Sequence, residues 1–504
     1  MTTTLDANLI SRARILSGTI HGVDTQPIAV EAVAASGLPN FDLVGLGERG
    51  AREARTRVRA AVASSGERWP QRNVVVSLAP ADTPKGGAGF DLAVALAVLI
   101  AGGRADAEAV GETLVLGELG LDGSLRAVRG VVAFLEGLED LEARCAIVPR
   151  ANEAEAAQVA GAKVYVADDL AGVMAHVRGE CTLPLAQAAR ASTGDARRGD
   201  LADVRGQPAA VRALEVAAAG DHHLLLIGPP GAGKTMLASR LATVLPPLDE
   251  RAAREVGRIA SIVGPRISGP SGRPFRAPHH TASAAAMMGG GDPILPGEVT
   301  LAHRGVLFLD ELPEFRRDVI ESLRTTLETG RVHVARARQR LVMPAKAHVI
   351  AAMNPCPCGF AGSTADMCRC PPGIALRYRQ RLSGPMLDRF DLQVRVERVR
   401  FADLDTVAPA PTSAEVAARV LQARQFAAMR PKFVPALGAL AGLDQGARAF
   451  LERAIDQQKL SARAYARSLR VARTLADLDA ADTILLHHVA EALSYRLLDR
   501  ETLS

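Results

Sequence analysis

Aromatic residues are scarce in this chain: they make up 3% of its 504 residues, with one Trp, four Tyr and twelve Phe. Its cores must therefore be aliphatic, and base stacking on aromatic platforms is disfavoured as a main mode of nucleic-acid binding. Long apolar runs are missing as well. A bilayer-spanning helix needs about 20 consecutive apolar residues, and the best candidate, Phe90–Ala101, is shorter and carries Asp91 near its start. No membrane association is expected. The segment Met1–Asp6 has no basic stretch followed by an apolar one, so no secretory signal is expected and the chain reads as cytoplasmic. Cysteine is sparse, at six residues, and four of these lie between positions 356 and 370, a clustering that suits a metal better than disulfides. Charge is nearly balanced, 60 basic against 55 acidic residues for a net +5. That is too mild to demand a polyanionic partner, so the places where positive charge collects matter more.

The most informative segment is Gly228-Pro229-Pro230-Gly231-Ala232-Gly233-Lys234-Thr235, placed between the apolar run Leu224–Ile227 and the helical pattern Met236–Leu245. This is a phosphate-binding loop at a strand-to-helix junction. Its glycines let successive backbone N–H groups turn towards phosphate, and the helix N-terminus adds favourable dipole. Lys234 is expected to reach the β- and γ-phosphates of ATP, and Thr235 to ligate Mg²⁺. Further along, Val306–Leu309 is an apolar strand ending in Asp310-Glu311. Asp310 suits a Mg²⁺-holding carboxylate and Glu311 the base that activates water. A second buried strand, His348–Met353, ends in Asn354, an amide able to position that water. Arg389, just before the strand Leu392–Val396, suits an arginine inserted into a neighbouring subunit's site, and Arg463 suits a γ-phosphate sensor in a C-terminal lid, with Arg467 and Arg470 as competitors.

The pattern of runs predicts an α/β protein in three parts. Residues 1–186 form an α/β domain without a nucleotide loop, 187–200 a polar linker, 201–400 a parallel-sheet ATPase domain, and 401–504 a helical lid with segments at Ser413–Met429, Gln445–Gln458, Ala462–Leu478 and Ala480–Leu498. Within the ATPase domain, Cys356, Cys358, Cys368 and Cys370 form two C-x-C pairs nine residues apart, a donor set for one structural Zn²⁺. Arg331–Lys346 alternates apolar and polar residues like a β-hairpin and carries Arg331, Arg336, Arg338, Arg340 and Lys346 with no acid. Such a hairpin can grip phosphates without reading bases, which makes sequence-independent, salt-sensitive contact with DNA the expectation. A second insert, Phe275–Glu298, is rich in Gly, Ala, Met and Pro. Its His279-His280 pair is not expected to hold a metal, because adjacent side chains on a loop diverge.

GPPGAGKT, VLFLDE, AAMNPCPCG and SGPMLDRFDL resemble the AAA+ module of magnesium-chelatase-like proteins, and within them the ComM/YifB group. Asp203–Gln207, Phe275–Thr281 and Ser461–Leu478 extend that resemblance essentially end to end. It implies a hexameric ring ATPase that translocates on single-stranded or branched DNA and promotes branch migration in recombination and natural transformation, with Phe275–Glu298 as an insert facing the ring pore. Asp82–Asp91 and Gly117–Arg126 resemble the Lon-protease-like domain carried by the same group. Aligned on that family, Gly89 stands where its serine is and Val132 where its lysine is, so proteolysis is not expected. Two other readings use the same engine: a chelatase-type motor subunit and an ATP-driven protein remodeller.

Overall fold

The computed structural model describes residues 11–187, 199–264, 272–291, 293–336, 339–362, 367–399, 410–430, 442–458 and 462–498. The chain divides into two units. The first comprises Met1–Thr193 with Ala253–Ser271 and Gly290–Pro296, and the second holds the remainder.

The first unit is built on a long antiparallel pair, β1 (Ser11–His21) and β2 (Asp24–Ala35). Around it come β3 (Asn40–Val44), α1 (Glu48–Ser64), β4 (Asn73–Ala79), α2 (Asp91–Ala101), β5 (Thr113–Val115), the short hairpin β6 (Glu118–Leu119) and β7 (Leu125–Arg126), α3 (Val131–Glu136), β8 (Cys145–Pro149), α4 (Glu153–Ala156), β9 (Lys163–Ala167) and α5 (Leu170–Val177). Seven strands form one mixed sheet in the order β3-β4-β2-β1-β5-β8-β9. The alternating burial of β2 and β4 is the pattern of strands with one face on a core. Every residue of α2 is buried, because DLAVALAVLIA has no polar face to turn outward. Its one charge, Asp91, accepts a two-pronged bond from Arg57 at 2.7 and 3.1 Å. Burial raises the Asp91 pKa, and the guanidinium opposes that rise.

Gly89 and Val132 stand in this unit with no reactive side chain. Val132 is buried, and its backbone N–H donates to Ser261 Oγ at 3.2 Å, while Gly130 N–H donates to Ser261 O at 2.9 Å. Ser261 belongs to a helix of the later chain that the first unit includes, so this unit extends beyond the N-terminal segment expected from sequence.

The second unit begins with α6 (Pro208–Gly220), β10 (Leu224–Ile227) and α7 (Lys234–Val244), followed in the chain by α8 (Glu250–Val263), which carries Ser261. In chain order there follow β11 (Phe275–Arg276), α9 (Ala284–Met288), β12 (Gly289–Gly290) and β13 (Leu295–Pro296), the last within the stretch that belongs to the first unit, and then α10 (Glu298–Leu301), β14 (Val306–Leu309), α11 (Arg317–Thr329), the hairpin β15 (Arg331–Arg336) and β16 (Gln339–Pro344), β17 (His348–Met353), α12 (Ile374–Arg379), α13 (Gly384–Leu387) and β18 (Leu392–Arg395). Five strands make an all-parallel sheet ordered β11-β14-β17-β10-β18. Strand β10 therefore sits between two strands that come later in the chain, the kind of switch point where parallel sheets bind ligands at their C-terminal ends.

Four helices complete the unit: α14 (Ser413–Met429), α15 (Gln445–Gln458), α16 (Ala462–Leu478) and α17 (Leu486–Ser494). They share one aliphatic core with β10, β14, β17 and β18. The last helix is shorter than the expected Ala480–Leu498. Ala480 takes a left-handed φ of +50°, and Ala481 N–H bonds back to Ala476 O, which closes α16 and forces a turn before α17.

Candidate functional site

Parallel register assembles the site. Ile227 at the end of β10 pairs with Met353 at the end of β17, and Leu309 at the end of β14 pairs with Ala351. The residues that follow these strands, Gly228–Thr235, Asp310-Glu311 and Asn354, consequently gather on one edge of the sheet. The loop after β10 needs its glycines. Gly231 and Gly233 have φ of +76° and +82°, and a Cβ on Gly228 would lie 2.0 Å from Val396 O. Helix α7 starts at Lys234 itself, so the loop delivers its N–H groups directly into a helix N-terminus.

The polar groups already interlock. Lys234, 9% exposed, donates from Nζ to Gly228 O at 2.7 Å, Pro229 O at 3.0 Å and Asn354 Oδ1 at 3.0 Å. Burial lowers its pKa, while Asp310 and Glu311 act in the opposite sense. Thr235 Oγ1 donates to Asp310 Oδ2 at 3.2 Å, which brings a hydroxyl and a carboxylate together as a divalent cation site requires. Asp310 Oδ1 accepts the Glu311 N–H at 2.9 Å. Glu311 has a left-handed backbone, φ +53°, unusual for a residue with a side chain and of the kind that collects at functional sites. Its carboxylate Oε2 lies 3.2 Å from His280 Nδ1, a contact that motif reading missed because the two residues are far apart in the chain.

The two remaining arginine candidates are not part of this cluster. Arg389 precedes β18, whose first residue Leu392 pairs with Leu224 at the start of β10, so it stands at the opposite edge of the sheet from Lys234. There its Nη2 donates to Glu328 Oε2 at 2.6 Å, and its Nε is buried without a hydrogen-bond partner among the described residues. Arg463 is exposed on the first turn of α16. One turn on, Arg467 is buried with its Nε 3.8 Å from Asp391 Oδ1, and its Nη1 lacks a hydrogen-bond partner among the described residues. Arg470 reaches the same carboxylate at 3.4 Å.

The C-x-C pairs converge beside the phosphate loop. Cys356, Cys358, Cys368 and Cys370 place their sulfurs within 4.8 Å of one another. Three separations are 3.3, 3.6 and 3.8 Å, close to the roughly 3.8 Å between sulfurs on a tetrahedral Zn²⁺ with bonds of about 2.3 Å. Backbone N–H groups of Phe360 and Arg369 pull the Cys358 thiol down to about 6. Gly359 abuts Pro230, where a Cβ would meet the ring at 2.4 Å, so this loop backs the phosphate loop directly. A second group, Asp479, His487 and His488, does not suit a metal. His488 Nδ1 accepts the Leu485 N–H at 2.9 Å, which leaves its proton on Nε2, the nitrogen facing Asp479 at 3.1 Å.

The basic segment is a hairpin, with Arg331 paired to Pro344, His333 to Val342 and Ala335 to Arg340. Those three pairs line its outer face: Arg331, His333, Arg340 and Val342 are exposed, whereas Val332, Val334 and Met343 are buried. Arg336 pairs with Gln339 at the tip, and Arg338 lies outside the described residues.

Family models agree with this architecture. Residues 200–404 match the model described as magnesium chelatase, subunit ChlI; residues 30–152 match one for subunit ChlI of Mg-chelatase; and 410–496 match the ChlI C-terminal model. The chain is 42% identical over 489 residues to the uncharacterized protein YifB of Escherichia coli, covering 95% of this chain and 96% of that one. It is 39% identical over 504 residues to the competence protein ComM of Haemophilus influenzae, covering 97% and 98%. The chain belongs to the YifB/ComM family of magnesium-chelatase-like AAA+ proteins. As in AAA+ ATPases generally, the YifB/ComM site is an ATP and Mg²⁺ site. A protein of Mycobacterium tuberculosis, also uncharacterized, is 40% identical over 511 residues. No described helix of this family member is long and apolar enough to cross a membrane.

Proposed function

We propose that this protein is a ring-forming ATPase that moves on DNA in the cytoplasm, with hydrolysis divided between neighbouring subunits. The observation that carries the reading is the split of the machinery over two edges of one sheet. Lys234, Thr235, Asp310, Glu311 and Asn354 gather at one edge, and Arg389 stands at the other. ATP lies in the phosphate loop with Lys234 on its β- and γ-phosphates. Thr235 and Asp310 hold Mg²⁺, Asn354 orients the water, Glu311 takes its proton, and Arg389 of a second copy neutralises charge on the transferred phosphoryl group. Arg467 is favoured over Arg463 as the lid arginine, because it and Arg389 both hold buried N–H groups that find no hydrogen-bond partner among the described residues at that second edge. A phosphate presented by a neighbour satisfies both. A hexamer fits the family and the reading.

DNA is assigned to the hairpin's outer face, where Arg331 and Arg340 contact phosphates, with Lys346 at its base and the α9 part of the insert, Ala284–Met288, packed on β15. The name competence protein ComM, carried by a relative over nearly its whole length, supports a DNA role. The test is steady-state ATP hydrolysis with single-stranded, duplex and four-way branched DNA at two salt concentrations. Stimulation that fades with salt and disappears in R331A/R340A is the expected result. Normal basal turnover with no response to any DNA overturns the reading in favour of a chelatase-type or protein-remodelling motor, a class the family model's own description keeps in view.

The four thiols are proposed to hold one structural Zn²⁺ that braces Gly359 against Pro230. Elemental analysis is expected to find about one zinc per chain. Cys356→Ser is expected to lose that zinc and weaken nucleotide binding, whereas Cys181→Ser leaves both unchanged. The N-terminal unit is proposed to lack proteolytic activity, since Gly89 and Val132 supply neither nucleophile nor base.

A further inference from the structure

The segment that delivers Arg389 runs from α13 into β18, and distant elements hold the residues on either side of that arginine. Arg496, 1% exposed, donates from Nη1 to Phe390 O at 3.5 Å and stands 3.8 Å from Asp388 Oδ1. Asp391 is buried too. It accepts from Arg470 Nη2 of α16 at 3.4 Å and lies 3.0 Å from Nδ1 of His222, a buried residue between α6 and β10. A carboxylate only accepts, so the proton of that bond is on Nδ1. Nε2 of the same ring meets Thr474 Oγ1 of α16 at 2.9 Å. Gly220 leaves room for that contact, because a Cβ there would lie 2.3 Å from both atoms. Burial alone would raise the Asp391 pKa, but His222, with Arg470 behind it, holds it well below the usual carboxylate range.

Positive charge collects around this segment. Burial lowers the Arg467 pKa, Asp391 and Asp388 oppose that, and Arg496 and Arg389 add to it. Arg389 and Arg467 are therefore close enough to repel, and buried cations stay together only with an acid beside them. Asp388 is engaged by Arg496, and Glu328 takes Nη2 of Arg389. Asp391 is the acid that faces α16, with Arg470 bonded to it and Arg467 at 3.8 Å.

We propose that Asp391 is a positioning residue for the next subunit's ATP: held by His222 and Arg470, it fixes Arg389 and Arg467 together at the edge that serves that subunit. The proposal rests on the shared-site reading above and adds to it the acid that keeps both arginines in place. It also makes the lid helix α16 and the Arg389 segment move as one piece, because the same carboxylate joins them to the entry of β10.

The test uses full-length D391N, which removes the charge and keeps the shape, and H222A, which leaves the carboxylate but unties it from the sheet. Turnover and affinity for a fluorescent ATP analogue are measured for each alone, and turnover again in equimolar mixtures with E311Q and with R389A, co-assembly being checked in every mixture. D391N is expected to lose about 10²-fold in turnover, the cost of a catalytic group misplaced by about 1 Å, with affinity for the analogue unchanged because the chain's own phosphate loop lies at the other edge. H222A is expected to lose about tenfold. Mixed with E311Q, D391N is expected to recover to about a quarter of wild-type turnover, the share of head-to-tail interfaces that random mixing makes complete. Mixed with R389A it recovers nothing, because both defects lie in the same half of the shared site. A general loss of folding cannot produce that pattern. Where D391N itself fails to fold, H222A in the same mixtures decides. Recovery with R389A, or none with E311Q in mixtures where R389A and E311Q do complement, overturns the role of Asp391 and leaves the shared site standing. Wild-type turnover in both folded variants overturns it as well. Failure of R389A and E311Q to complement each other removes the shared site, and the proposal with it.

Discussion

Replacing Glu311 by Gln lowers ATP turnover by about 10²–10⁴-fold, the range a positioned general base contributes, while ATP binding and ring assembly persist. The amide matches the carboxylate in shape, but it has no basic lone pair for the water's proton. Binding is expected to survive because the proposed phosphate and Mg²⁺ contacts fall to Lys234 and Thr235, whose hydrogen bonds to Gly228 O and Asp310 do not involve the Glu311 side chain. Single-turnover hydrolysis alongside direct nucleotide titration checks both halves. Preserved turnover removes Glu311 from the role of base. Lost binding shows that the substitution disturbed the loop, with its left-handed φ of +53°, and Glu311→Ala then serves as the second probe.

Replacing Arg389 by Ala is expected to cost as much or more, about 10³–10⁵-fold in turnover if the side chain acts as an arginine finger. The register of the sheet is the argument. Leu392 pairs with Leu224 at the start of β10, whereas Lys234 follows its end, so a strand length of roughly 10 Å or more lies between Arg389 and the chain's own phosphate loop. Meanwhile Glu328 holds the guanidinium at 2.6 Å, with Nε buried beside it. Acting on a neighbour, Arg389 has a signature no cis residue can mimic. Equimolar E311Q and R389A subunits, each inactive alone, regain turnover when mixed, because a site with Glu311 from one and Arg389 from the other is complete. Absence of any recovery in mixtures shown to co-assemble rejects the shared site.

Much of this site was legible before any coordinates. The phosphate loop is a contiguous string whose glycines, lysine and threonine act within eight residues, so its local sterics are written in the chain. Asp310 and Asn354 could be read because each ends a short apolar run, and strands buried in a parallel sheet turn their termini towards ligand. The alternation in Arg331–Pro344 likewise announces a hairpin with one dry and one wet face. The helix over Ala480–Leu498 was overdrawn for an equally local reason: apolar spacing continues through the turn, but a left-handed Ala480 cannot be inferred from it.

The sequence by itself determined the chemistry of each segment: a phosphate cradle, two acids after a strand, four thiols in two pairs and a basic hairpin. Only the tertiary structure decided which of these meet. It turned Arg467 rather than Arg463 towards Asp391, because one face of α16 is buried and the other is solvated. It carried α8 into the first unit, where the backbone at Gly130 and Val132 holds Ser261. It put Arg389 at the opposite edge from Lys234 and His280 against Glu311. A loop motif whose glycines, lysine and threonine act within a few residues, such as Gly228–Thr235, can be read along the chain. Encounters between distant side chains depend on strand order and on which helix face is buried, and those follow from packing the whole sheet.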